Sequence, residues 1–190
     1  MVDAARPSVV LRGFGGGIVS NSNIGLRLAQ IILESVIGPQ EAALCLPLRA
    51  QDRDDCWTIT SDNASGSRNC RIDLRKLDAA VVSLSVDGTP EALPRAEAVE
   101  KFAAAIVENS RGSAELSRQL PFAIADKGDT WLVQGSDNAA RAAEGPGPFH
   151  LEVQKRDARV LDMWFEWVLP TPPEVKELMR QSMRKPRGSL

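Results

Sequence analysis

The chain of 190 residues repeats itself. Residues 46–59 read LPLRAQDRDDCWTI, and residues 120–133 read LPFAIADKGDTWLV. Leu46 and Leu120, Pro47 and Pro121, Asp52 and Asp126, Asp55 and Asp129, and Trp57 and Trp131 fall in step at a spacing of 74. Carried backwards, the same spacing sets Ala29 on Ala103, Ile32 on Ile106, Glu34 on Glu108, Gly38 on Gly112 and Glu41 on Glu115, ten ungapped identities in all. Beyond the tryptophans the spacing becomes 79, with Lys76-Leu77-Asp78-Ala79 on Lys155-Arg156-Asp157-Ala158 and Val81 on Val160. The five extra residues fall in the loop before FHLEVQ. Loops absorb insertions that packed elements cannot, so the change of spacing agrees with the alignment. A repeat of this length calls for two modules of one architecture. A module of about 70 residues buries only a small core alone. The two are therefore expected to pack together about a pseudo-two-fold axis.

Each module reads as a helix followed by about four antiparallel strands, an α+β class. SNSNIGLRLAQIILESVIG opens on capping residues and stops at Gly38, with Ile24, Leu28, Ile31 and Ile32 as its apolar stripe. PRAEAVEKFAAAIVENSRG opens on Pro94 and stops at Gly112, with Ala98, Phe102, Ala105 and Ile106 as its stripe. Gly25 inside the first helix costs it roughly 1 kcal/mol against Ala, and its bare backbone offers room for close packing. LPLRAQ and CWTIT are joined by DRDD, and LPFAI and TWLVQ by ADKGD, so both pairs read as hairpins. CRIDLRK then pairs with AVVSLSV, and FHLEVQK with RVLDMWFEW. Alternation places Ile72, Leu74, Val82 and Leu84 in one core, and Leu151, Val153, Leu161, Met163, Phe165 and Trp167 in the other. The modules are expected over 13–88 and 93–169, with a further amphipathic helix over 171–185 striped by Val175, Leu178, Met179 and Met183.

Composition narrows the function. The net charge of −2 gives no broad basic field for nucleic acid. No apolar run approaches the ~20 residues that cross a bilayer, and the N-terminus lacks an apolar signal core, so a cytoplasmic location is expected. Cys45, Cys56 and Cys70 are odd in number and not closely spaced, which fits neither a disulfide framework nor a zinc site. They read as small buried or half-buried residues.

Catalytic motifs are sparse. A nucleophile–histidine site would have to use His150, the one histidine of the chain. Its parity is opposite to that of Leu151 and Val153, which puts it on the polar face of its strand. The chain has no tyrosine, so an isomerase site built on a tyrosine donor is excluded. GFGGG, residues 13–17, lacks the Lys-Ser/Thr of a phosphate loop and reads as a flexible lead-in. Trp57 and Trp131 read as core plugs. No catalytic, cofactor-binding or metal-binding residues are assigned.

A leading GxxxxxxN segment, the helix IGLRLAQIILESVIG, then LPFAIADKGDTWLVQG, a Gly/Pro turn GPGP over 145–148, and FHLEVQKRDARVL follow one another in a recognisable order. This order resembles the bacterial immunity proteins of the nuclear transport factor 2-like (cystatin-like) fold, which neutralise polymorphic toxins. The resemblance runs over roughly 13–86 and 93–165. The second copy matches better: the first has Ser61 where the second has Gly135, and lacks the GPGP turn. The resemblance implies a non-enzymatic protein that binds a cognate toxin encoded nearby, without cofactor, membrane or nucleic acid. Two other readings stand beside it: a small-molecule binder or isomerase/dehydratase-like protein with a pocket between helix and sheet, and a tandem-module structural adaptor. The residues read as partner-binding are the acidic hairpin tips Asp52, Asp54, Asp55 and Asp129, with Trp164 and Glu166 on the outward side of the last strand. Trp164 stands where the first copy has serine, and is expected either to anchor a partner or to pack under the helix over 171–185.

Overall fold

The computed structural model of the protein describes residues 8–12, 17–62, 68–87, 96–136 and 145–168. The helix expected over 171–185, the glycines of residues 13–16 and the opening Pro94 lie outside the described residues, as does the side chain of Trp167.

The order of elements begins with a strand that the repeat did not foreshadow, β1 (Ser8–Arg12). Helices α1 (Ser22–Ile37) and α2 (Pro39–Ala43) precede strands β2 (Leu48–Arg53), β3 (Cys56–Ser61), β4 (Cys70–Arg75) and β5 (Val81–Val86). The second half gives α3 (Ala96–Arg111), α4 (Ser113–Gln119), β6 (Ala123–Asp126), β7 (Thr130–Gln134), β8 (Gly145–Gln154) and β9 (Val160–Val168). The sheets are antiparallel, in the orders β2-β3-β4-β5 and β1-β9-β8-β7-β6. The class is α+β, as expected, and its modules are consistent with a nuclear transport factor 2-like fold.

Local chemistry accounts for the boundaries. Asn21 caps α1 by accepting the Ile24 N–H at 3.1 Å. Gly38 ends it with a φ of 85°, a region that favours glycine, and Gly112 does the same after α3 with a φ of 87°. Pro39 then sits in the first turn of α2, where a missing N–H costs nothing. The left-handed residue of the first hairpin is Asp54 and that of the second is Gly128, matched positions in the repeat. Leu46-Pro47 and Leu120-Pro121 are both cis.

The helix stripes are buried as read: Ile24, Leu28, Ile31 and Ile32 on α1, and Ala98, Phe102, Ala105 and Ile106 on α3. The two helices pack on each other, α1 also lies on β2–β4 and α3 on β7, and one continuous core runs through both halves. A Cβ on Gly25 would stand 3.5 Å from Cγ of Trp57, so the bare backbone lets the indole lie against the helix.

Two core assignments are corrected. Val82 and Leu161 were expected inside but are 59% and 46% exposed. The cause is a β-bulge at the same place in each half. Asp73 pairs with Ser83 and Leu74 with Val81, which skips Val82; Glu152 pairs with Asp162 and Val153 with Val160, which skips Leu161. An extra residue in one strand reverses its alternation beyond that point. GPGP is also corrected: residues 145–148 belong to β8 rather than to a turn, with a register irregularity between Pro146 and Phe149.

Contacts between the halves come in matched pairs. The Val81 N–H donates to Asp157 O at 2.7 Å, and the Val160 N–H donates to Asp78 O at 2.8 Å. Arg27 pairs with Glu108, and Lys101 pairs with Glu34 at 3.3 Å. Under the spacings of 79 and 74, each member of these pairs maps onto the other. In addition, β1 crosses from the N-terminus to the sheet of the second half, with Leu11 opposite Phe165.

Candidate functional site

The acidic hairpin tips are built around a lysine. Lys76 reaches Asp52 Oδ1 at 2.5 Å and Asp54 O at 2.6 Å, and its N–H donates to Asp55 O at 2.8 Å. The same ammonium lies 5.0 Å from the centre of the Trp57 ring. The second half reproduces the arrangement: Lys155 reaches Asp126 Oδ1 at 2.5 Å, its N–H donates to Asp129 O at 2.9 Å, and it lies 4.1 Å from the Trp131 ring. The Lys155 hydrogen bond and the Gly128 N–H hold the Asp126 carboxyl below its usual range. Part of the acidic charge read in these loops is thus used to fasten the hairpin to the following turn, while Asp54, Asp55 and Asp129 remain exposed. The tryptophans are half-buried against the core, and Trp57 Nε1 donates to Val19 O at 3.0 Å.

Trp164 and Glu166 lie elsewhere, on the outward face of the second sheet, and the structure joins them to His150. The His150 ring stacks on Trp164 with centroids 4.7 Å apart and planes 2° from parallel. His150 Nε2 is 2.9 Å from Glu166 Oε1. His150 has the outward parity expected of it, but it is buried rather than lying on an open polar face, because Trp164 covers it. Trp164 is half-buried; the alternative that it packs under residues 171–185 falls outside the described residues. The same face carries Glu152, which accepts the Thr130 hydroxyl at 2.9 Å, and Asp162, which accepts the Met163 N–H at 2.9 Å. Asp162 shares the outward parity of Trp164 and Glu166 in the sequence but is not among the residues read there as partner-binding. Glu152 is not marked by the last strand at all and is found only by extending the face across both strands.

The corresponding face of the first sheet is a closed polar network. Asp73 accepts from Thr58 at 2.6 Å, from Ser83 at 2.6 Å and from Arg71 at 3.2 Å. Burial pushes the Asp73 carboxyl up, but these hydrogen bonds more than offset it and hold it low.

The remaining candidates are structural. Cys45 and Cys70 are buried and Cys56 is half-buried, as expected of small filling residues. Burial, then the neighbouring Cys70, pushes the Cys45 thiol up to about 11, far from a reactive thiolate. Gly17 of the glycine run passes against the β4–β5 turn, where a Cβ would come within 2.3 Å of Lys76 O. The space between helix and sheet is filled in each half, by Leu28, Ile32, Ile59 and Ile72 in the first and by Phe102, Val133, Phe149 and Leu151 in the second. Among the described residues a cleft of about 430 Å³ opens at the surface, bordered by Ile31, Glu34, Ile37, Glu97 and Lys101. Among the described residues no group of His, Cys, Asp and Glu is placed to hold a metal ion, and no helix is long and apolar enough to cross a membrane.

A family model described as NTF2 fold immunity protein matches residues 98–166, wholly within the second half of the chain. No curated protein and no solved structure matches. The match supports an immunity role and coincides with the half in which the resemblance of sequence is stronger.

Proposed function

We propose that this chain is a tandem-module immunity protein that neutralises a cognate toxin by binding it, without catalysis. The observation that carries the reading is the family match over residues 98–166, which takes in α3 from its third residue, strands β6 to β8, most of β9 and Trp164. The chain divides in this reading into modules over 13–88 and 93–169 followed by the segment 171–185. The matched bonds between Val81, Asp157, Val160 and Asp78 support descent of the two modules from one ancestor. A filled interior supports surface binding over a pocket reading, since a ligand between helix and sheet would have to displace side chains such as Phe149 and Leu151. Partner contacts fall to the exposed tips Asp54, Asp55 and Asp129, to Asp52, and to Trp164 and Glu166. The toxin is expected to be encoded beside this gene and to act in the cytoplasm, where this protein meets it.

Co-expression tests the reading. The adjacent gene product, induced alone, is expected to arrest growth, and this chain is expected to restore it. A neighbour that is harmless alone, or that kills equally well with this protein present, defeats it.

A further inference from the structure

The two halves provide an internal control for what the fold requires. Position by position across the outward faces, Arg71 becomes His150, Asp73 becomes Glu152, Ser83 becomes Asp162 and Ser85 becomes Trp164. Both sets support the same strand pairing: Arg71 faces Ser85 as His150 faces Trp164, and Asp73 faces Ser83 as Glu152 faces Asp162. The sheet therefore needs neither the tryptophan nor the added acid. In the first half the carboxylates of this face are Asp73, saturated by Thr58, Ser83 and Arg71 and offset by the Arg71 charge, and Asp87, the counterpart of Glu166, which Arg68 pairs at 2.7 Å. In the second half Glu152, Asp162 and Glu166 share one face with Trp164, three carboxylates where the first half has two, and β1 sets Arg12 in register beside Trp164. Leu132 lies on the same face, opposite Glu152.

The aromatic is also held in place. His150 is stacked flat on Trp164 and tied to Glu166, so the indole is ordered before any partner arrives. An ordered anchor loses little side-chain freedom on binding. Tryptophan dominates interface energetics when a partner finishes burying it, and surrounding carboxylates steer a cationic surface towards it.

We propose that this outward face of the second sheet, centred on Trp164, Glu166 and Glu152, is the docking face for the toxin, and that the toxin presents a basic surface to it. The proposal rests on the immunity reading above and narrows it to one face and one partner chemistry.

The test uses the full chain and the purified toxin domain encoded beside its gene, with binding followed at low and high salt. Trp164→Ser installs the sister residue and is expected to weaken affinity at least tenfold, the scale of an interface anchor. Glu152→Gln and Glu166→Gln are expected to slow association at low salt and to change it little at high salt. Ser85→Trp, on the sister face, is expected to leave binding unchanged. If Trp164→Ser lowers the unfolding midpoint, the two glutamine variants decide, because neither removes packing. Association that stays at the wild-type rate in both glutamine variants overturns the proposal, as does a loss at Ser85→Trp equal to that at Trp164→Ser. Wild-type protein that binds no toxin at all sinks the immunity reading, and this proposal with it; a wild type that binds while the face variants bind equally well sinks the proposal alone.

Discussion

Asp78 shows how one side chain serves both its own turn and the junction of the halves. Its carboxylate takes Nε and one terminal nitrogen of Arg75, both at 2.7 Å, and the Ala80 N–H at 3.2 Å, while its carbonyl accepts Val160. Burial pushes the carboxyl up, but the bonds from Arg75 and Ala80, with the Arg75 and Arg159 charges, hold it below the ordinary Asp value. A depressed folded value means that the unfolded chain takes up the proton first. The stabilisation is thus complete above an ordinary value of about 4 and is lost as pH falls through the lower folded value. Asp78→Asn is expected to be less stable than wild type near neutrality, and the gap is expected to narrow as the medium is acidified below pH of about 4. Urea unfolding across that range checks it; a gap independent of pH would show that the carboxylate charge contributes nothing. The bidentate bond itself was not readable from the spacing of Arg75 and Asp78, because it depends on the tight turn at Ala79, a non-glycine held at a φ of 57°.

At the scale of elements, the halves solve one hydrogen-bonding problem in two ways. In the first, the N–H of Cys70 donates to Ser61 Oγ at 2.7 Å. In the second, the matched N–H of Phe149 donates to Gln119 Oε1 at 2.8 Å. Gln119 reaches that N–H because Gly135 replaces Ser61: a Cβ on Gly135 would stand 1.9 Å from Gln119 Oε1. The first half needs no such reach and has Cys45 where the second has Gln119. The departure at Ser61 is therefore one half of a compensated exchange. Gly135→Ser alone, and Gln119→Cys alone, are each expected to destabilise the protein by about 1–3 kcal/mol, through a clash in the first case and a buried unpaired N–H in the second. The double variant is expected to recover much of the sum, and a double-mutant cycle measures the coupling. Strict additivity would show that the two sites act separately. The bulges taught the opposite lesson. Alternation in β5 and β9 was legible, but the residue skipped at Val82 and Leu161 was not, since nothing in the letters AVVSL or RVLDM marks which residue leaves the ladder. The short helices α2 and α4 were missed because five and seven residues leave no periodicity to read.

For the whole molecule, the repeat made the helices, hairpins and strand order legible, since each half could be checked against the other. What escaped was what the halves do not share. The strand β1 has no counterpart in the repeat and finds its partner at Trp164–Val168, far along the chain. Likewise the two candidate residues named on the last strand pointed to part of the outward face, while the stacking of His150 depends on register across β8 and β9. The matched ion pairs of Arg27 with Glu108 and Lys101 with Glu34 are partly exposed and contribute roughly 0–1 kcal/mol each. The halves are held instead by the continuous core of α1, α3 and the sheets. With that interior filled, the proposed function is exercised through the surface, and that is the central claim. Titrating the toxic activity of the adjacent gene product with this chain in vitro tests it most directly. The expected result is inhibition that rises in proportion to the protein added and is complete at one equivalent. Full protection by a small fraction of an equivalent, which requires turnover, would contradict the claim, as would undiminished activity in excess protein.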